Sequence, residues 1–363
     1  MKVAIVHYWF INWRGGEKVV EALLDLFPQA DLFTHVYDES LTEGKLKGRN
    51  ITTTFISKLP GAKKHYQKYL PLMPIALEQL DLREYDLVIS SESGPAKGII
   101  ISPDATHICY CHSPMRYVWD MYPDYVKTAG LLSRWLMRPL IHYLKIWDRL
   151  SADRVDYFIA NSSFVAKRIN KFYRRSAEVI HPPVDIDEFE INSEKSDFYL
   201  LLGQLTHYKR ADLAVDAFLA NGKKLIVIGD GEQYQSLKAL ENDRVKVLGR
   251  ASWDECKNYL SKAKALIFPG VEDFGMVPVE AMACGTPVLA FAKGGALETV
   301  NDGHSGYLFY EQTVESLNAC INKFEEQSEL IDSEIRNQAE LFSMDIFKKK
   351  MTSFIQMKVE QNN

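Results

Sequence analysis

Residues 270–287 read GVEDFGMVPVEAMACGTP and place two glutamates, Glu272 and Glu280, in a run that is otherwise small and apolar. Glutamate is seldom buried without a partner. The preceding residues AKALIFPG predict a strand, and a helix is expected to begin near Met276 and to end by Gly285, a residue suited to a helix C-terminus. The unbonded N–H groups at the start of such a helix favour an anion, and phosphate fits best. We therefore expect a ligand site at the carboxyl end of this strand.

The same alternation of short apolar runs and helical patterns extends along the whole chain. Strands are predicted in the first half by KVAIVHYWF, YDLVISS, THICYC, VDYFIANS and AEVIHPP, and in the second half by FYLLLGQL, KKLIVIGDG, VKVLG, AKALIFPG and TPVLAF. This order predicts two doubly wound α/β domains with parallel sheets. The polar stretch PPVDIDEFEINSEKSD predicts a linker between them. We expect an N-terminal domain over 1–182, a C-terminal domain over 183–344, and a final helix at about 345–363 that packs back on the N-terminal domain.

Composition excludes several classes of protein. The formal net charge of the 363 residues is −5, so no basic field indicates a nucleic-acid partner. Five cysteines without metal-site spacing indicate reduced thiols in a cytoplasmic protein. No window approaches the ~20 apolar residues of a membrane span, and the N-terminus does not resemble a signal peptide. We therefore expect a cytoplasmic protein that can touch the inner face of the cell membrane.

The two glutamates flank the predicted anion site, one in the loop before it and one about a turn into the helix. A nucleotide diphospho-sugar has this layout, with a diphosphate between a ribose and a hexose, and carboxylates accept hydrogen bonds from neighbouring sugar hydroxyls. Two solvated surface glutamates are the ordinary alternative. The apolar neighbours Phe274, Met276 and Val277 argue against a solvated face.

The segment EDFGMVPVE resembles the E-x7-E signature of retaining glycosyltransferases of the GT-B fold, and most of all glycosyltransferase family 4. The pattern continues in AMACGTPVLAFAKGGALETV, GQLTHYKRADLAVDAF, IGDGE, VKVLGR and the early RGGEKVVEAL. The segment CYCHSPMRYVWDMY is similar to the subset that acts in bacterial surface-polysaccharide assembly, including mannosyltransferases. The resemblance implies two Rossmann-like domains facing a central cleft, with the acceptor bound by the N-terminal domain and the nucleotide-sugar donor by the C-terminal domain.

The resemblance also implies roles for single residues. Glu272 is expected to contact the donor sugar, Glu280 the ribose and Lys209 the diphosphate; with His112, Lys209 and Glu272 are the expected catalytic residues. Where the family has an arginine five residues before the lysine, this chain has Gln204, and Arg210 is the candidate replacement. Further donor contacts are expected from Gly15, Gly16, Gly249, Arg250, Phe274, Gly275, Met276, Val277 and Glu298, and acceptor contacts from Arg116, Lys63 and Lys64. A structural histidine and a helix-capping glutamate are the rival interpretations of His112 and Glu298.

Two other patterns resemble binding motifs but do not predict a dinucleotide site or a metal site. The segment IGDGEQ lacks the third glycine of a dinucleotide fingerprint. Asp185 and Asp187 form a D-x-D, but in the predicted linker, where the family's metal-independent members commonly carry something similar. We expect no catalytic metal and no cofactor beyond the substrate nucleotide sugar.

The resulting hypothesis is retaining transfer of a hexose, with mannose favoured, to a lipid-linked oligosaccharide or glycan acceptor in surface-polysaccharide assembly. GDP-mannose is the favoured donor and a UDP-hexose the next candidate. The basic, aromatic stretches ISKLPGAKKHYQKYLPLMP and LLSRWLMRPLIHYLKIWDR favour a polyprenyl-diphosphate-linked acceptor or a membrane surface. Helices packed on the sheet with snorkelling basic side chains explain them equally well. The alternatives are a UDP-hexose-dependent transferase with another acceptor, a nucleotide-sugar epimerase, and a non-catalytic sugar-nucleotide-binding module.

Overall fold

The computed structural model describes residues 1–13, 15–42, 44–122, 131–327 and 330–362, with the side chains of 131–136 and 362 left out. The chain divides into two compact units. The first comprises Met1–Pro182 together with Phe347–Asn363, and the second comprises Pro183–Ile346. Each unit is built around one parallel sheet with helices.

The sheet of the first unit has seven strands in the order β3-β2-β1-β4-β5-β6-β7. Every pairing in it is parallel. Strands β1, β4 and β5 are buried along their whole length, as expected for central strands of a parallel sheet. The strands are β1 Val3–His7, β2 Asp31–Thr34, β3 Ile51–Thr53, β4 Leu87–Glu92, β5 Thr106–Cys111, β6 Tyr157–Ala160 and β7 Ala177–Val179, and the helices are α1 Gly15–Leu26, α2 Ala62–His65, α3 Met73–Glu78, α4 Leu131–Ala152 and α5 Ser163–Tyr173, with 3₁₀ turns at Glu39–Leu41, Phe55–Lys58 and Tyr66–Leu72.

A cluster of three charged side chains lies inside the first unit. The Lys97 ammonium contacts Glu92 at 3.0 Å and also pairs with Asp148, and all three side chains are fully buried. Asp148 accepts further hydrogen bonds from Trp119 and Tyr173 at 2.6 and 2.9 Å. The cluster links the end of β4 to α4, and its single ammonium is shared by two carboxylates that solvent does not reach.

The sheet of the second unit has six parallel strands in the order β10-β9-β8-β11-β12-β13. The strands are β8 Tyr199–Leu202, β9 Leu225–Ile228, β10 Val245–Gly249, β11 Ala265–Phe268, β12 Val288–Phe291 and β13 Gly306–Phe309, and the helices are α6 Ala211–Asn221, α7 Tyr234–Lys238, α8 Trp253–Lys262, α9 Met276–Ala283, α10 Ala296–Thr299, α11 Val314–Gln327, α12 Asp332–Glu340 and α13 Met344–Asn362, with 3₁₀ turns at Ile186–Glu188 and His207–Lys209. From Phe347 onward α13 belongs to the first unit, where Phe347 packs edge-on against Tyr110.

Part of the stretch predicted as a linker is buried in the structure. Val184, Ile186 and Phe189 are buried in the core of the second unit. Arg336 donates hydrogen bonds to the carbonyls of Phe189 and Ala283, both at 2.7 Å. Residues 184–189 of the predicted linker therefore pack in the second unit, directly after the boundary between the two units at Pro182.

Two expectations from the sequence concern a membrane span and a metal site, and both can be compared with the described residues. None of the helices in that part of the chain combines the length and apolar character that a bilayer span requires. Within the same ranges, no group of three or more His, Cys, Asp or Glu side chains is placed to hold a metal ion.

Candidate functional site

The stretch 270–287 forms a loop and the helix α9 at the carboxyl end of β11. Gly275 is the residue before the helix and has φ of 86°, a left-handed conformation that favours glycine. A Cβ atom there would also lie 3.0 Å from the Phe268 ring. Because Gly275 has no side chain, it provides no cap for the first N–H groups of α9, and these can bind an anion.

Lys209 and Glu272 form an ion pair beside this helix. The Lys209 ammonium lies 2.7 Å from Glu272 Oε1, and the side chains are 20% and 22% exposed. Lys209 ends the 3₁₀ turn that follows β8, whereas Glu272 lies in the loop after β11, and the two strands are neighbours in the sheet. A Cβ at Gly270 would lie 2.6 Å from the Lys209 Cα, so only a glycine allows these loops to approach so closely. The parallel sheet thus brings together the two residues that the family pattern pairs functionally.

The loop after β12 packs against the Glu272 loop. The Gly295 N–H donates to the Glu272 carbonyl at 2.9 Å, and a Cβ on Gly295 would come within 2.1 Å of the Phe274 carbonyl oxygen. Glu298 follows on α10, where its N–H donates to the Gly295 carbonyl. Gly295 was not predicted as a site residue, although its Gly-Gly pair stands in the segment that resembles the family.

Glu280 and the other helix residues have a different environment. Glu280 is 6% exposed on α9, and Val279 and Ala281 beside it are fully buried. Phe274 is buried in the same core, with Met276 and Val277 packed against it. A carboxylate this deeply buried is expected to bind a ligand or another group of the protein. The interpretation of Glu280 as a solvated surface glutamate is therefore excluded.

The remaining predicted donor residues of this unit have the following environments. Arg210 has a left-handed backbone with φ of 55° and donates to Asp212 at 3.2 and 3.3 Å. Arg250 is 83% exposed and pairs with Asp230 at 2.9 Å. Gln204 is exposed, and Gly249 has φ of 78° while its carbonyl accepts from the Gly229 N–H. Both arginines are thus held by neighbouring aspartates.

In the first unit a histidine cluster lies at the carboxyl ends of the central strands. His7 ends β1 and lies opposite Ser91 of β4 in the strand register, and His112 directly follows β5. Ser91 Oγ lies 2.8 Å from His112 Nε2, and His7 Nδ1 lies 3.1 Å from the Ser91 carbonyl oxygen. Burial, and to a lesser extent His7, lowers the pKa of His112 to about 3. His112 is therefore a neutral side chain at physiological pH.

Gly16 lies against this cluster at the start of α1. A Cβ on Gly16 would lie 3.0 Å from the Tyr8 hydroxyl, 3.7 Å from His7 Cε1 and 3.8 Å from His112 Nε2. Gly15 is the first residue of the same helix. The structure thus brings Gly16 close to His112, with Gly15 next to Gly16 in the chain, and it adds His7 and Ser91, which sequence reasoning missed. The only hint in the sequence was the position of His7 at the end of the first apolar strand.

The predicted acceptor residues lie on the surface of the first unit. Lys63 and Lys64 are exposed on α2, and Lys63 pairs with Asp38 at 3.3 Å. Arg116 is half-buried after β5. The side chains of Arg134 and Trp135 from the second basic stretch lie outside the described part of the chain, whereas Arg138 is exposed on α4 and Trp147 is buried there.

An apolar cavity opens near these residues. Its volume is about 280 Å³, and it is lined by Trp9, Gln67, Leu70, Tyr117, Met137, Leu140, Ile141 and Leu144. Trp9 packs edge-on against Tyr8 at 4.5 Å between ring centroids, and Tyr8 packs on His7 at 4.1 Å. The rings of Trp9 and Tyr8 therefore connect the cavity with the histidine cluster. The sequence indicates the aromatic and basic segments but not this cavity.

Comparisons with known proteins agree with these features. Residues 13–188 match the model described as Glycosyltransferase Family 4, and residues 184–340 match the model described as Glycosyl transferases group 1. The chain is 33% identical over 158 residues to an uncharacterized glycosyltransferase of Methanocaldococcus jannaschii, covering 42% of this chain and 45% of that protein. It is 25% identical over 362 aligned positions to the alpha-1,3/1,6-mannosyltransferase ALG2 of Saccharomyces cerevisiae, covering 80% and 70%. With the O-antigen chain mannosyltransferase RfbU of Salmonella typhimurium it shares 27% identity over 206 residues, covering 50% and 57%.

Two of these three matches span only about half of the relative's own length. A similar solved structure is that of Anabaena Alr3699/HepE in complex with UDP, with a TM-score of 0.72 and 17% sequence identity. The alignment covers 98% of this chain and 100% of that one. At this identity the likeness concerns the fold, two Rossmann-like units of the GT-B type.

Proposed function

Because the chain belongs to glycosyltransferase family 4 and has the GT-B fold, we propose that it transfers a hexose, with mannose favoured, from a nucleotide diphospho-sugar. The proposed acceptor is a lipid-linked oligosaccharide or glycan in surface-polysaccharide assembly, and the proposed transfer retains the anomeric configuration. The observation that carries the proposal is the Lys209–Glu272 pair beside the uncapped start of α9.

Each part of that arrangement suits one part of the donor. The first N–H groups of α9 and the Lys209 ammonium would bind the diphosphate, and the charge on its leaving oxygen grows as the sugar bond breaks. Glu272 would exchange its contact with Lys209 for the hydroxyls of the hexose. Glu280, buried on the same helix, would bind the ribose.

The low pKa of His112 supports a front-face reaction. A general base works best with a pKa near the operating pH, and the pKa of about 3 makes His112 a poor base. We propose that the departing diphosphate takes the proton of the acceptor hydroxyl while the sugar is still close to it. Glu272 would then position the sugar and not act as a nucleophile, and no metal ion or cofactor is assigned a step.

The choice of donor rests on the activities of similar proteins. ALG2 and RfbU are mannosyltransferases, which favours GDP-mannose, whereas HepE binds UDP, which keeps a UDP-hexose as the alternative. Thermal-shift measurements with GDP, UDP and their sugars, followed by transfer assays with the best donor, test this choice. Stabilisation by UDP alone would replace mannose with a UDP-hexose.

Transfer itself separates the enzyme from the alternatives. A glycosyltransferase with a bound donor releases sugar slowly to water when no acceptor is present, and a binding module does not. An epimerase would instead convert the donor to its isomer. We expect slow hydrolysis with wild type and none with Glu272→Ala; unchanged donor after long incubation with wild type would favour the non-catalytic module.

The acceptor side is supported by the 280 Å³ cavity and the lysines of the 62–72 segment. The cavity is apolar apart from Gln67 and could hold part of a lipid chain, while the exposed Lys64 and Lys68 suit an anionic lipid diphosphate or leaflet. We propose contact with the inner face of the cell membrane through this surface.

A charge-reversal experiment tests the membrane contact. Replacing Lys64 and Lys68 with glutamate should weaken sedimentation with anionic vesicles by roughly thirtyfold or more, since each lysine near the surface contributes about 1 kcal/mol. The matched control makes the same change at Lys349 and Lys350, which are exposed on α13. Equal losses in both double variants would show that net charge alone is responsible and that the 62–72 segment is not the contact.

A further inference from the structure

Three side chains at the carboxyl ends of β1, β4 and β5 form a hydrogen-bonded series. His7 and Ser91 are fully buried, and His112 is half-buried. His7 Nδ1 lies 3.1 Å from the Ser91 carbonyl oxygen and 3.3 Å from Ser91 Oγ, and Ser91 Oγ lies 2.8 Å from His112 Nε2. The position of each proton in the series follows from the donor and acceptor chemistry of these atoms.

The first proton is assigned by the carbonyl group. A carbonyl oxygen only accepts, so the bond between it and His7 Nδ1 requires that Nδ1 carries a proton. That N–H also points toward Ser91 Oγ, 3.3 Å away. His7 Nε2 has no hydrogen-bond partner and lies 3.8 Å from Glu17 Oε1, so it does not alter this assignment. His7 therefore donates to Ser91 whether or not its second nitrogen is protonated.

The second proton is assigned by the hydroxyl group. The Ser91 hydroxyl has one proton to donate, and His7 is a donor toward it. Among the described residues, His112 Nε2 is the remaining partner of that hydroxyl. If His112 Nε2 carried a proton instead, two N–H groups would point at one oxygen and the buried Ser91 O–H would lack an acceptor, which is unfavourable. Ser91 therefore donates to His112 Nε2.

We propose that Ser91 is a positioning residue that holds His112 with its proton on Nδ1, and that His7 sets the direction in which the Ser91 hydroxyl donates. The ring nitrogen left for a ligand is then a hydrogen-bond donor. It suits a sugar hydroxyl oxygen or a phosphate oxygen, and it cannot remove a proton from the acceptor. For transfer, this role of Ser91 rests on the proposed function; the proton assignment does not.

The proton assignment is tested by NMR of the full chain labelled with ¹⁵N-histidine. Protonated and unprotonated imidazole nitrogens resonate far apart, and the sample contains nine histidines. Comparison with His112→Asn identifies the signals of His112. We expect wild type to show His112 with Nδ1 protonated and Nε2 unprotonated at pH 7. The opposite tautomer in wild type would overturn the proposal without any variant being made.

A matched pair of serine variants tests the role of Ser91. Ser91→Ala should release the His112 tautomer, so that its two nitrogen signals move toward each other or exchange. The control is Ser90→Ala, because Ser90 Oγ makes a bond of the same kind and length, 2.8 Å, to the buried His107 Nε2. It removes the same interaction from the same strand and should shift the His107 signals alone. If Ser91→Ala leaves His112 unchanged, Ser91 does not set the tautomer.

Kinetic measurements then test whether the tautomer of His112 affects sugar transfer. Ser91→Ala should lower kcat by up to roughly tenfold, the effect of one neutral hydrogen bond, with little change in the Kd for nucleoside diphosphate. Ser91→Thr, which keeps the hydroxyl, should restore both the signals and kcat, and Ser90→Ala should keep near-normal kcat. A released tautomer with unchanged kcat would overturn the catalytic part of the proposal. If wild type transfers no sugar to any acceptor, the proposed function fails while the NMR result still decides the proton assignment.

Discussion

The Lys209–Glu272 ion pair makes an unusual prediction about nucleotide affinity. Without a ligand, the ammonium that should bind the diphosphate is 2.7 Å from a carboxylate. A nucleoside diphosphate without its sugar must separate Lys209 from Glu272, and it has no hexose hydroxyls that could bind Glu272 instead. Replacing Glu272 with the isosteric glutamine should therefore tighten the binding of GDP or UDP while transfer is lost.

The size of the effect follows from the burial of the pair. Fully exposed pairs contribute up to about 1 kcal/mol, and removing one partner of a buried pair costs several. With side chains 20% and 22% exposed, we take about 1 kcal/mol as the net contribution, since desolvation offsets much of the attraction. Glu272→Gln should then lower the Kd for nucleoside diphosphate about fivefold.

Titration calorimetry on a double-mutant cycle isolates the pair. Lys209→Met should raise the Kd at least tenfold, and adding Glu272→Gln to it should bring no further gain, because no ammonium remains to be released. Glu232→Gln, a change of the same charge at a 62% exposed site, is the control and should leave the Kd nearly unchanged. A Glu272→Gln gain that persists with Lys209→Met would show general repulsion of the diphosphate, and weaker binding by Glu272→Gln alone would refute the reasoning.

Three further predictions concern the cations, the buried histidines and the buried charge cluster. Lys209→Ala should lower turnover about a hundredfold or more, whereas Arg210→Ala should be nearly silent because its guanidinium is held by a neighbouring aspartate; a comparable defect in both would place a second cation at the diphosphate. Burial lowers the pKa of His35 and of His107 to about 4, so the unfolded chain binds their protons first and the free energy of unfolding should fall as the pH drops from about 6.5 to 4. Each contributes about 1.4 kcal/mol per pH unit in this window, and urea denaturation that shows no such slope would contradict the assignment. Lys97→Met should destabilise the first unit by about 3–5 kcal/mol because it leaves two buried carboxylates without a counter-ion, and a loss below about 1 kcal/mol in the same assay would contradict it.

Local patterns were sufficient for much of the fold. The runs THICYC and VKVLG predicted strands that the structure has with the same residues, β5 and β10. The β5 run is buried along its whole length, as in a central strand of a parallel sheet, whereas β10 lies at the edge of its sheet and alternates buried and exposed residues. The helix expected near Met276 begins there, after a glycine whose left-handed backbone a side chain would strain. The family resemblance of the E-x7-E segment and the two-sheet GT-B architecture were predicted from the sequence and are confirmed.

Short elements with weak patterns were missed. Strands β2, β3 and β13, of four, three and four residues, do not carry an apolar run long enough to stand out from loops. The polar composition of the stretch after Pro182 predicts a linker. Three apolar side chains at Val184, Ile186 and Phe189 nevertheless anchor it to a core that only folding creates.

What the sequence by itself determined is the class of the molecule: repeated strand–helix units, two parallel sheets and a loop–helix segment with the glutamates of a known family. These features are local, because periodicity, glycine position and motif spacing all concern neighbouring residues. Tertiary structure alone decided which distant side chains meet. His7 and Ser91 are 84 positions apart, and they touch because β1 and β4 pair in a parallel register that no local pattern specifies. The contact of Lys209 with Glu272 arises in the same way, from the adjacency of β8 and β11 in the second sheet.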